Sequence, residues 1–89
     1  MANSELTVKV LTPVKALLDT SARSVNAPGV LGYMGILPGH AAMVSELGKG
    51  ILVTEQTSGT QLKFEVTGGY LEVVKNIVTI VVDQATPAK

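Results

Sequence analysis

Runs of Val, Ile, Leu and Thr recur about every eight to twelve residues along the chain, and Gly, Pro, Asn or Ser stands between them. Short strands joined by tight turns produce that spacing, so an all-β sandwich or barrel is its natural outcome. No stretch carries the periodicity of a long amphipathic helix.

The clearest strand is Gln61 to Val66, where Leu62, Phe64 and Val66 alternate with Gln61, Lys63 and Glu65. A period of two buries one face and leaves the other wet. Leu6, Val8 and Val10 alternate in the same way with Thr7 and Lys9, and Pro13, which has no N–H to give a ladder, ends that strand near Thr12. Ile77 to Val82 is almost continuously apolar and β-branched. That pattern predicts a central strand covered on both faces or lying under a subunit contact. Further strands are expected at Ala16 to Asp19, Arg23 to Ala27, Ala42 to Ser45, Ile51 to Glu55 and Tyr70 to Val74, for about nine or ten in all. Pro28-Gly29, Gly48-Lys49-Gly50, Ser58-Gly59, Gly68-Gly69 and Lys75-Asn76 supply the reversals between them.

A chain of 89 residues makes one small domain. We expect a tail over residues 1–5, a β-sandwich over 6–85 and a second, flexible tail over 86–89. There are no cysteines, so ordinary packing must hold the core. The apolar fraction of 46% and the mean hydropathy of +0.38 are high for so short a chain, which predicts apolar surface that a partner covers. One segment stands out: between Arg23 and Glu46 there is no Lys, Arg, Asp or Glu, and Tyr33 and His40 are its only titratable side chains. Pro28, Gly29, Gly32, Gly35, Pro38 and Gly39 would break a membrane-spanning helix there repeatedly, so a folded, partner-covered loop region is expected.

Charge and motif chemistry exclude several function classes. Seven basic residues balance seven acidic ones, which leaves no basic surplus to hold nucleic acid or an anionic membrane. Met1 to Glu5 lacks the basic stretch and apolar run of a secretory signal, so an unexported, cytosolic protein is expected. No nucleophile stands with a base, and the acids fall mostly at outward strand positions, so no catalytic residue is assigned. His40, the one histidine, cannot build a metal site without Cys or a nearby carboxylate and is read as a hydrogen-bonded turn or interface residue. Gly48-Lys49 lacks the other requirements of a phosphate-binding loop, since Met43 replaces the earlier Gly and Gly50 the hydroxyl residue. Gly32, Gly35 and Gly39 make no dinucleotide fingerprint. The alternative function is a lipoyl- or biotinyl-type carrier with Lys75 at a hairpin tip. Its flanks, Val74 and Asn76, are not the Met or acidic neighbours usual in such domains.

Gly35-Ile36-Leu37-Pro38-Gly39-His40-Ala41, with Gly32 before it, closely resembles the signature of the epsilon subunit of F-type ATP synthases. A second segment, Gly68-Gly69-Tyr70-Leu71-Glu72-Val73 followed by Asn76, Val78-Thr79 and Asp83, is similar to the family's other signature at appropriate spacing. Together they cover Leu6 to about Ala85. The resemblance implies a ten-stranded β-sandwich in the rotor, bound to the gamma subunit and resting on the c-ring. It implies a peripheral position at the cytoplasmic face of the cell membrane without direct insertion, and neither a cofactor nor a small-molecule substrate. The loop that lies near c and gamma in the family corresponds to Tyr33, Gly39 and His40, although many relatives carry an acid where Tyr33 stands. Thr12 and Ser45 match positions close to gamma, while either residue could equally be an ordinary solvent-facing one. Family members generally continue into two C-terminal helices that can inhibit hydrolysis and, in some, bind ATP. With Lys89 as the last residue, neither property is expected of this polypeptide.

Overall fold

Residues 5–88 are described by a computed structural model. It contains β1 (Leu6–Leu11), β2 (Ala16–Gly29), β3 (Gly32–Ile36), β4 (Met43–Gln56), β5 (Gln61–Val74), β6 (Ile77–Val82) and β7 (Ala85–Pro87). No helix occurs among the described residues. The all-β class follows from the sequence as expected, but β2, β4 and β5 are each 14 residues long and merge segments that the turn signals separate.

A straight strand of that length would span about 43 Å at 3.3 Å per residue. The longest axis of the molecule is 37 Å. The long strands therefore bend, and interruptions of the ladders mark the places: register shifts between Ala22 and Ser24 and between Asn26 and Gly29 in β2, and the missing Gly48–Gly68 rung of the β4–β5 ladder, whose register is the same on both sides of it. One layer holds β1, β6 and the halves of β2, β4 and β5 that pair alongside them. The other holds β3, β7 and the remaining halves. Counting each long strand once per layer turns seven strands into the ten segments of the expected sandwich.

Gly48-Lys49-Gly50 and Gly68-Gly69 are thus not reversals, as their composition predicts, but bends inside β4 and β5. The physical reason is shared: a strand passing from one layer to the next needs φ values or close approaches that only Gly permits. Gly68 and Gly69 have φ of 125° and 135°. A Cβ at Gly50 would meet Pro28 Cβ at 2.7 Å and the Tyr33 hydroxyl at 2.6 Å. Pro28-Gly29 ends β2, and the reversal falls just beyond it, at Val30-Leu31. Ser58-Gly59 and Lys75-Asn76 do form turns. Lys75 and Asn76, at φ of 48° and 66°, make the left-handed pair of a two-residue hairpin.

The flexible C-terminal tail expected from residue 86 is corrected as well. Ala85, Thr86 and Pro87 pair with Val66, Glu65 and Phe64, and Pro87 is tolerated because β7 lies on a sheet edge. The N-terminal tail, apart from Glu5, lies outside the described residues.

Between the layers sit Leu6, Val8 and Val10 of β1, Val25 and Ala27 of β2, Ile36 of β3, Leu47 and Leu52 of β4, Val66, Leu71 and Val73 of β5, and Val78, Ile80 and Val82 of β6. β6 is central, parallel to β1 and antiparallel to β5. Only its alternate face is buried, however, and Ile77 and Val81 remain nearly half exposed. The continuous apolar run therefore signals an interior face and an uncovered apolar face, not burial on both sides.

Thr54 is the one buried polar side chain of this core, and its Oγ1 has no hydrogen-bond partner among the described residues. A buried hydroxyl without a partner keeps its desolvation cost. Thr54→Val, nearly equal in shape, is expected to stabilise the domain by about 1 kcal/mol in urea denaturation. An unchanged or lower midpoint would mean that the hydroxyl is satisfied.

Candidate docking surface

Pro38-Gly39-His40 forms a turn closed by the His40 N–H donating to the Leu37 carbonyl at 3.0 Å. Its anchor lies far away in sequence: the Gly39 N–H donates to Asn76 Oδ1 at 2.8 Å, fastening the turn to the β5–β6 hairpin. Gly39 has φ of 89°, which makes it the residue such a turn requires. The His40 ring lies with Nδ1 2.7 Å from the Ala41 carbonyl oxygen. A carbonyl only accepts, so Nδ1 carries the proton. The other nitrogen, Nε2, has no partner among the described residues and is not buried. His40 is thus a turn histidine with one ring nitrogen left open at the surface.

Tyr33 lies elsewhere. It lies on β3 opposite Pro28 of β2, about 10 Å along the strand from Ile36, the residue that leads into the Pro-Gly-His turn. Its hydroxyl accepts a hydrogen bond from the Ile51 N–H at 3.0 Å, so part of its role is to brace β4. Its ring remains 59% exposed. Ser45 joins Tyr33 at a surface concavity of about 400 Å³, which lies between the β2–β3 hairpin and the edge of β4. Thr12 is not with them. Its side chain accepts from the Lys15 N–H at 3.2 Å and donates to the Lys15 carbonyl at 3.2 Å, bonds that close the turn after β1. The five residues singled out from sequence therefore fall in three places: Gly39 and His40 at the hairpin end, Tyr33 and Ser45 at the concavity, and Thr12 in a turn of its own.

The structure adds Val30, Leu31, Val44, Tyr70 and Val74 to the exposed apolar surface, and it shows an open face on β6, whose apolar run predicts a covered strand or a subunit contact. At the tip of the β2–β3 hairpin Val30 is 54% and Leu31 100% exposed. On the outer side of the β4–β5–β6 ladder Val44, Tyr70, Val74, Ile77 and Val81 are all exposed, with Tyr70 beside Val81 and Val74 beside Ile77. The signal for the latter group was present in the sequence, because both phases of the period-two pattern in Ile77 to Val82 are apolar. The Glu72–Thr79 pair separates these two pairs and Glu46 stands opposite Tyr70, so the face is mixed, with several large apolar side chains open to a partner.

Other chemistry is sparse. No group of three or more potential metal ligands occurs among the described residues. An ion pair, Arg23 to Glu55 at 3.6 Å, is exposed and, with Arg23 also donating to the Thr57 carbonyl at 2.7 Å, holds the β4–β5 turn. No described helix is long and apolar enough to cross a membrane.

Residues 5–88 match the family described as ATP synthase, Delta/Epsilon chain, beta-sandwich domain. Among curated relatives, the ATP synthase epsilon chain of Moorella thermoacetica is 34% identical over 82 residues, covering 92% of this chain and 61% of the relative. That of Leptospira interrogans is 40% identical over 84 residues, covering 93% and 65%. The chain thus spans less than two thirds of the length of these relatives. Among solved structures, a chain of the Euglena gracilis mitochondrial ATP synthase, resolved as OSCP/F1/c-ring, superposes with a TM-score of 0.91 at 24% identity, over 98% of this chain and 56% of that one. A chain of the Tetrahymena thermophila mitochondrial ATP synthase central stalk/c-ring gives 0.76 at 22%, over 97% and 69%. These two likenesses establish the shared fold. The family matched is of another class than the lipoyl and biotinyl carriers, for which Lys75 at its hairpin tip would have been the attachment point.

Proposed function

The chain belongs to the ATP synthase delta/epsilon β-sandwich family, and from that membership we propose that it is a non-catalytic part of the central stalk, joining the gamma subunit to the c-ring. In this reading torque from ion flow passes through a stiff adaptor to the catalytic head, where other subunits make ATP. It works as a peripheral component at the cytoplasmic face of the membrane. An interior packed as densely as an organic crystal suits a part that must not yield.

The observation that carries the proposal is the uncovered apolar surface: the hairpin tip at Val30 and Leu31 and the outer face of β4, β5 and β6. A stable complex buries about 1,200 Å² or more in total. Exposed apolar side chains next to a charge-free segment support docking on other proteins rather than catalysis. Gly39 and His40 belong to the docking end, with His40 Nε2 offered to a partner. Tyr33 and Ser45 belong to the concavity beside the hairpin tip. Thr12 keeps the position implied by the family resemblance, at the edge of the gamma contact.

Mixing the purified domain with the gamma subunit of the same source is expected to give a one-to-one complex in size-exclusion chromatography and calorimetry. His40→Ala, which removes a single polar contact, should weaken that complex about tenfold, equivalent to about 1.4 kcal/mol, while the free domain keeps its circular dichroism. Absence of any complex with gamma and with the c-ring, both folded, would overturn the adaptor role.

A further inference from the structure

The β4 strand has an open edge beside the concavity. In an antiparallel ladder the backbone groups of successive residues point alternately toward and away from the partner strand. The Glu46 carbonyl accepts from the Val30 N–H at 3.1 Å, so Glu46 turns its backbone away from β5 and toward the β2–β3 hairpin. Two residues earlier, Val44 must face the same way. It pairs with Glu72 of β5 across the non-hydrogen-bonded position, and no strand pairs with it on its other side. The Val44 N–H and carbonyl are therefore an unfilled rung, and they open onto the concavity that Val30, Leu31, Tyr33 and Met34 line.

Unpaired edges attract added strands, and proteins commonly blunt them with charge, proline or a covering loop. Here the edge residues Met43, Val44 and Ser45 carry neither charge nor proline: the segment from Ser24 to Ser45 has no Lys, Arg, Asp or Glu, and Ala41 and Ala42, which lead into the edge, are small and exposed. Glu46, at the far end of the concavity, is the one acidic or basic side chain lining it.

We propose that the β4 edge at Val44 accepts an extended segment of a rotor partner by strand addition, the segment being apolar where it lies on the hairpin tip and basic where it reaches Glu46. Main-chain pairing would supply affinity, the apolar lining would select small or branched side chains, and the Glu46 carboxylate would set direction. This rests on the stalk reading given above and adds the mode of contact and the chemistry of the bound segment.

Hydrogen exchange tests it in the assembled enzyme. The domain is added to ATP synthase stripped of its own copy, and exchange at the Val44 amide is compared with that in the free domain. Strong protection of Val44 in the assembly, against fast exchange in the free domain, is expected. Val44→Pro removes the donor at a position where a sheet edge tolerates proline and should weaken incorporation about tenfold or more, markedly more than Val44→Thr, which alters the side chain but keeps the N–H. Glu46→Gln should weaken incorporation several-fold at low salt and flatten its salt dependence.

A domain that incorporates normally while Val44 exchanges as it does when free would overturn strand addition and leave the stalk reading intact. A domain that does not incorporate at all would remove the stalk reading and this inference with it. Protection of Val44 in a concentrated solution of the domain alone would mean that the edge pairs with a second copy instead, and this too would overturn the proposal. An unchanged salt dependence for Glu46→Gln would remove the basic end of the segment.

Discussion

Gly69→Ala is expected to destabilise the domain by about 3–5 kcal/mol, lowering Tm by about 15 °C or more and shifting the urea midpoint down with little change in slope. Gly69 stands where β5 passes from one layer to the other, opposite Leu47 on one side and Val82 on the other. Its φ is 135°, a conformation that L side chains rarely adopt. Space is lacking as well: an added Cβ would strike the Val81 carbonyl oxygen and come within 2.8 Å of Val82 Cα and 2.9 Å of the Val81 carbonyl carbon. Backbone atoms of a central strand cannot step aside as the end of a flexible side chain can. The two costs therefore add, about 1–3 kcal/mol for the dihedral and a similar amount for overpacking. Domains of ordinary stability hold only about 5–15 kcal/mol in total, so the variant should be partly unfolded at moderate temperature.

Gly32→Ala is the matched control. Gly32 has nearly the same φ, 134°, but nothing lies within 4 Å of where its Cβ would go. It should show the dihedral cost alone, about 1–3 kcal/mol. Equal losses for the two variants would show that the close approach at Val81 and Val82 contributes nothing. A Gly69→Ala midpoint equal to that of the parent would remove the bend itself.

That same residue shows where sequence reasoning stops. The strands themselves are legible because a period of two is a direct consequence of pleat geometry, and Leu62, Phe64 and Val66, or Leu6, Val8 and Val10, display it without ambiguity. Whether Gly68-Gly69 reverses the chain or bends it is not legible, since both need positive φ and no Cβ. Only the pairing of Thr67 with Lys49 and of Gly69 with Leu47, which carries the ladder across the glycines, decides between them. β7 is hidden for a related reason: three residues that include Pro87 have no pattern of their own, and their strand character comes from Val66, Glu65 and Phe64.

The docking surface divides along the same line. Gly39 and His40 are found through the family signature, yet the residue that holds their turn, Asn76, is 37 positions away and joins it only through the fold. Tyr33 and His40 are close in sequence, but an extended β3 carries them apart. Thr12 has the right residue type for a surface contact and spends its hydroxyl on its own turn. Leu31 and Val44 look like ordinary core residues of a β-chain, and only exposure reveals that no core receives them.

Leu31→Asp therefore provides the strongest test of docking at the hairpin tip: affinity for the rotor partner should fall about 100-fold or more, with the stability of the free domain unchanged. Leu31 is 100% exposed, so within the domain its side chain packs against nothing. Exposed positions of that kind usually change stability by less than about 0.5 kcal/mol. Against a partner the balance differs. Full burial of a leucine side chain contributes about 1.5–3 kcal/mol, and a carboxylate at the same spot also has to be desolvated without a compensating charge in a segment that has none. Together these exceed the 2.7 kcal/mol or so that corresponds to 100-fold in affinity. Leu31→Ala, which forfeits burial alone, should fall between parent and Asp variant. Calorimetric titration with the gamma subunit and with the c-ring, alongside thermal melts of each free variant, separates the outcomes. Unchanged affinity for both partners would remove the hairpin tip from the interface and leave the outer face of β4, β5 and β6 to carry it. A fall in affinity accompanied by an equal fall in stability would mean that Leu31 serves the fold, against its exposure. Loss of affinity at constant stability is the result that an uncovered apolar tip requires, because its burial energy is realised only in the complex.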